Sequence, residues 1–173
     1  MQIDLAALEE AACRELAGQL LRRVAGVPAE VIQQVVARSE GVPYYAEEMI
    51  NWYLDRGVID RSSETWQFVA SRLQEYTPPA TLQHLLLTRF HSLPDAEQAV
   101  LQRGAVFGRH FWEGGLEFLG ASASRRLLVE LEPRNFVDRE AQSAWQGETE
   151  WSFHHNLLRQ VIYESALKRQ RKR

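Results

Sequence analysis

The sequence predicts a mainly α-helical fold with small β-hairpins. Three observations carry this. Apolar residues recur at three- and four-residue intervals over most of the chain. Glycine and proline punctuate those runs where helices would start and stop. Two short segments, around residues 58–69 and 135–154, break the helical period with strand-like runs about polar turns. Three helices followed by a two-stranded wing is the order of a winged-helix module, and the second half of the chain has it.

The elements follow in order. Residues 4–25 predict a first helix, with Asp4 as its cap, Leu5, Leu8, Ala12, Leu16, Leu20 and Val24 at helical spacing, and Gly26 at its end. Pro28 opens a second, with Val31, Val35 and Val36 on its apolar side. Gly41-Val42-Pro43 comes next, and Pro43 suits the first turn of a third helix, where its missing N–H costs nothing. Tyr44, Met49, Ile50, Tyr53 and Leu54 form that helix's apolar stripe, up to Gly57. Val58-Ile59 and Trp66 to Val69 flank the polar turn DRSSET and predict a hairpin. The two prolines of EYTPPATLQ mark a domain boundary, and Thr77 or the prolines start the helix ATLQHLLLTRFHSL. Pro94-Asp95 opens another, and WEGGLEFLG a short one. Ser122 or Ser124 caps SRRLLVELE, which Pro133 ends. NFVDRE and TEWSFH are the strands of the wing, and HNLLRQVIYESALKR is the last helix.

Composition bounds the function. The chain has 173 residues, 45% hydrophobic and 25% charged, enough for a core without staples. No apolar run approaches the roughly 20 residues of a membrane span, and the N-terminus lacks the order of a signal peptide. The single cysteine, Cys13, excludes an internal disulfide and a cysteine-built zinc site, so a reducing cytoplasm is the expected setting. The formal net charge is -3, while the last six residues, KRQRKR, carry +5, which leaves a body of -8. An acidic body repels phosphate backbones; the tail reads as a solvated helix or a break between domains, with a nucleic-acid or membrane contact as the alternative. Only two lysines exist, Lys168 and Lys172, both in that tail. The body therefore has neither a phosphate-cradling G-x-x-x-x-G-K-[ST] loop nor a Schiff-base lysine.

Four motifs then occur in a telling order. They are Gly41, Pro43, Tyr44, Glu48 and Gly57; Pro79, Arg89, Leu93 and Pro94; LQRGAVFGRHF; and Phe153, His155 and Tyr163. In this order they resemble the region after the P-loop domain in STAND ATPases, the signal-transduction ATPases with numerous domains. The likeness is to bacterial members joined to adenylate or guanylate cyclase domains or to LuxR-type regulators. Val42 stands where that family usually has asparagine, and Gly104 where it has alanine. The resemblance implies a helical lid over residues 1–57, a hairpin and linker over 58–77, and a winged-helix domain over 78–167. Residues 168–173 would be a basic tail leading to C-terminal helical repeats. It also implies a P-loop domain of the same parent chain as partner, and ADP or ATP as its nucleotide. The isolated fragment is expected to be no enzyme and to hold no cofactor.

Three residues stand out as candidate nucleotide contacts: Gly41, Pro43 and His155. A rigid proline ring at a helix start is a preset wall for a flat base, and a glycine beside it lets backbone approach closely. The resemblance implies that Pro43 packs on adenine; read alone, the stretch is a loop that starts a helix. His155 offers one hydrogen bond when neutral and two when protonated. The resemblance implies a phosphate contact for His155; read alone, it caps or packs at the start of the last helix, and His154 beside it reads as exposed.

No catalytic residue is expected. His84, His91 and His110 are scattered, and the first two sit about 10 Å apart along a helix, too far to share a metal. Cys13 reads as a buried inert thiol, and Glu47 and Glu48 as surface or lid contacts. Glu130 and Glu132 oppose Arg125 and Arg126 on the helix that would read DNA, so DNA binding is not expected. A winged-helix DNA-binding regulator and a plain helical interaction module remain the alternatives.

Overall fold

The structure, a computed structural model, describes residues 6–170 and the side chains of residues 6–167. Asp4, Leu5 and the side chains of the basic tail lie outside the described residues. The fold is mainly α-helical with two small three-stranded sheets. The chain divides into two compact units, residues 1–85 and 86–173.

The first unit is built on three helices: α1 (Glu10–Leu20), α2 (Ala29–Ser39) and α3 (Pro43–Asp55). Helix α1 is shorter than its periodicity suggests. Leu21 caps it, and β1 (Val24–Ala25) leaves the helical path to pair in parallel with β3 (Trp66–Phe68). A partner strand wins over local pattern here, which sequence cannot show at a distance. Its buried line is Cys13, Ala17 and Leu21, while Ala12 faces solvent. Pro28 is the N-cap of α2 and Pro43 the first residue of α3. Strand β2 (Ile59–Asp60) pairs antiparallel with β3, giving the order β1-β3-β2.

The hairpin belongs to the first core. Val58 and Ile59 are buried with Met49, Trp52 and Tyr53, and Leu85 closes the same cluster. A short α4 (Ala70–Leu73) follows, then the proline break. That break is stitched to the unit: Arg38 donates to the Pro78 carbonyl, and Tyr45 Oη donates to Pro79 O at 3.2 Å. Helix α5 (Leu82–His91) is capped by Thr81, whose Oγ1 accepts from His84 N at 3.3 Å, rather than by Thr77 or a proline. The division between units falls inside this helix.

The second unit runs α6 (Asp95–Phe107), β4 (His110–Trp112), α7 (Glu113–Phe118), α8 (Ser124–Leu131), β5 (Val137–Arg139), β6 (Glu150–Phe153) and α9 (Asn156–Gln170). Its strands are antiparallel in the order β4-β6-β5. The two strands expected here are joined by a third, β4, on the far side of β6. Neither Ser122 nor Ser124 caps α8: Ala123 takes the cap position in the left-handed region, and the Ser124 hydroxyl is buried without a partner. A single 3₁₀ turn, Glu132–Arg134, holds Pro133 and continues α8 into β5.

Arg89 anchors this unit. It is 1% exposed, donates from Nη2 to the Arg134 carbonyl at 2.7 Å, and lies 4.8 Å from the Phe136 ring centroid. Arg134 takes the same ring at 5.6 Å and pairs with Glu97 at 3.1 Å. Burial raises the Glu97 carboxyl above its ordinary range, against the pull of Arg134. A buried guanidinium needs such partners, and here they tie α5, α6 and the turn before β5 together.

Candidate functional site

The corner between α2 and α3 is a tight reversal. Glu40 (φ 48°) and Gly41 (φ 79°) are consecutive left-handed residues, Val42 is extended, and Pro43 begins α3. Val42 N donates to Ser39 O at 2.8 Å, and Tyr45 N to Val42 O at 3.0 Å. Glycine serves two needs at this point. Its φ is one that side chains resist. A Cβ there would also lie 2.6 Å from the Leu8 carbonyl oxygen and 2.7 Å from the Ala7 Cβ.

The close approach that Gly41 permits is therefore to the chain's own segment before α1. That segment is fastened by Leu8 N donating to Gly41 O at 2.8 Å. Val42 is 42% exposed and Pro43 is exposed, so the pair presents an apolar corner to solvent. Behind it, Tyr44 and Tyr45 turn into the unit. Tyr53 donates to Gln34 Oε1 at 3.0 Å, and burial pushes its hydroxyl up to about 12. Beside the corner, Leu8, Cys13, Arg14, Val36 and Gly41 help line an open groove of about 500 Å³. Arg14 is held there by Glu10 at 2.8 Å.

Glu48 differs from its reading as a surface residue. It is 0% exposed, and its Oε1 accepts from Asn51 Nδ2 at 3.2 Å on the next turn of α3. Glu47 beside it is half-buried. Cys13 is buried, with Sγ 3.9 Å from the Leu8 carbonyl.

His155 belongs to the second unit and is exposed. It sits just before α9, and its Nδ1 accepts from Leu157 N at 3.2 Å. This is an N-cap made by an imidazole, and it places the ring proton on Nε2. His154, read from sequence as exposed, is half-buried, with Nδ1 2.9 Å from Asp138 Oδ2 on β5. Gly41 and Pro43 thus share one corner of the first unit, and His155 stands at a helix start in the second. His84, His91 and His110 are exposed, and no group of metal-ligating side chains gathers among the described residues.

One cluster escaped the sequence. His110 Nδ1 approaches Glu150 Oε1 at 3.0 Å, while Glu150 Oε2 accepts from Ala144 N at 2.7 Å and Trp112 Nε1 at 3.2 Å. The Ala144 bond, with help from Trp112 and His110, holds the Glu150 carboxyl below its ordinary range. The alternation of His110, Phe111 and Trp112 after Gly108 is the signal that could have found its strand. No helix among the described residues is long and apolar enough to cross a membrane. No protein-family model, curated protein or solved structure matches the chain.

Proposed function

We propose that this chain is the helical lid and winged-helix region of a STAND-class signalling ATPase, the moving part of an ADP/ATP switch. The observation that carries the reading is the Gly41-Val42-Pro43 corner. Its Val42 and Pro43 are apolar and exposed, Gly41 is buried behind them, and its geometry is fixed by two left-handed residues and the Leu8 bond. A preset wall of this kind meets a flat base at little entropic cost. A P-loop domain elsewhere in the parent chain would hold the phosphates, since the body of this one has no lysine. The order α6-β4-α7-α8-β5-β6, with the sheet order β4-β6-β5, supports a winged-helix second unit. Such an arm regulates by making different contacts in two nucleotide states. The fragment itself carries no catalytic step.

The test is ADP binding to the full-length protein by calorimetry, with and without Pro43→Ala. The reading expects roughly tenfold weaker binding, the scale of about 1.4 kcal/mol of lost contact. Unchanged affinity refutes the proline wall. A second reading, DNA binding, draws on the same strand order. Tight, salt-sensitive binding of duplex DNA by the 173-residue chain would favour it over the switch.

A further inference from the structure

The outer face of the second sheet carries an aromatic platform that the nucleotide reading does not use. Phe111 and Trp151 pair across β4 and β6 and are buried on the inner face. Trp112 and Glu150, the next pair, therefore point to the other side. The loop between β5 and β6 folds back over that side. Ala144 N and Trp112 Nε1 both donate to the same Glu150 oxygen, at 2.7 and 3.2 Å. This bond pair delivers Trp145 onto Trp112, with ring centroids 5.4 Å apart and planes at 38°. Trp145 remains 63% exposed. A large indole kept in water by a hydrogen-bonded loop, and tilted at 38° against a second indole, is a surface with a face to offer.

The charges around it choose the occupant. Glu148 accepts from Gly114 N at 3.1 Å. Glu140 lies 3.8 Å from His110 Nδ1. With Glu150, these are three carboxylates held in place by neutral donors or by histidine. Among the described residues none of them makes a salt bridge to arginine. We propose that this wing is a docking surface for an arginine-bearing peptide segment of a partner protein. A guanidinium stacks on the exposed indole face, and the carboxylates supply the complementary field. The same field repels phosphate, so the wing selects a basic peptide and not a nucleic acid.

The test uses the 173-residue chain and a fluorescein-labelled Gly-Arg-Gly-Arg-Gly peptide, followed by anisotropy at low and high salt. The expected result is saturable binding that weakens with salt. Trp145→Ala should lower affinity by about tenfold while Trp145→Phe keeps most of it, both with an unchanged circular dichroism spectrum. A 20-base-pair duplex should not compete. Equal affinity in Trp145→Ala would place the peptide on the general acidic surface and overturn the proposal. So would the absence of saturable binding, or competition by the duplex.

Discussion

Replacing Gly41 by alanine tests the corner directly. Two costs are expected. The first is the left-handed φ of 79°, worth about 1–2 kcal/mol for a residue with a Cβ. The second is steric. The new Cβ would stand 2.6 Å from the Leu8 carbonyl oxygen, a backbone atom that cannot rotate away. The segment around Ala7 and Leu8 must move, and the Leu8 N to Gly41 O bond goes with it, for about 1 kcal/mol. Gly26 supplies the control. Its φ is 73°, and a Cβ there meets nothing within 4 Å. Gly26→Ala carries the same backbone strain and the same gain from a stiffer unfolded chain. The difference between the two variants isolates the contact with Leu8 and should be about 1–2 kcal/mol, with a total for Gly41→Ala of about 2–3. Urea unfolding, compared at equal m-values, measures both. If Gly41→Ala is no more destabilising than Gly26→Ala, the segment before α1 does not press on the corner, and the rigidity argued for Pro43 fails with it.

Two further outcomes follow from single bonds. His155→Ala should cost the second unit about 1 kcal/mol by removing the acceptor for Leu157 N, and His155→Asn should restore it; a fully stable alanine variant in urea would remove the capping role. Glu150 has a folded-state pKa lowered chiefly by the Ala144 N–H, so its contribution is present above the unfolded value near 4.5 and is lost as pH falls through the folded one. Melting temperature between pH 3 and 6 should therefore fall less steeply in Glu150→Gln than in the parent, and parallel acid limbs would contradict the Ala144 bond.

The residues that could be read in sequence are those whose local chemistry leaves little choice. Pro43 opens α3 because its ring already has a helical φ and no N–H to lose. Val58-Ile59 and Trp66 to Phe68 pair because a polar turn separates two β-rich runs. Strands β1 and β4 were hidden for the opposite reason: two or three residues become strand only where a distant partner offers its edge. Ser122 and Ser124 looked like caps, yet Ala123 turns left-handed and sends the Ser124 hydroxyl inward. Glu48 and His154 were misjudged in burial, which depends on what packs over a residue and not on its own polarity. At the candidate site the corner's shape was legible, but the role of Leu8 was not. A contact across some thirty residues leaves no periodic trace.

The parallel pairing of Val24 with Trp66 has a consequence for how the first unit assembles. It closes a loop of roughly forty residues that contains all of α2 and α3, and a loop that long is entropically slow to close. The hairpin closes only the short turn between Asp60 and Trp66, whereas β1 can join it only after the helices have brought Val24 alongside. Completion of this sheet is therefore expected to be a late step of folding. A hydrogen-exchange pulse should find the Trp66 amide, which donates to Arg23 O, protected after the amides of α2 and α3.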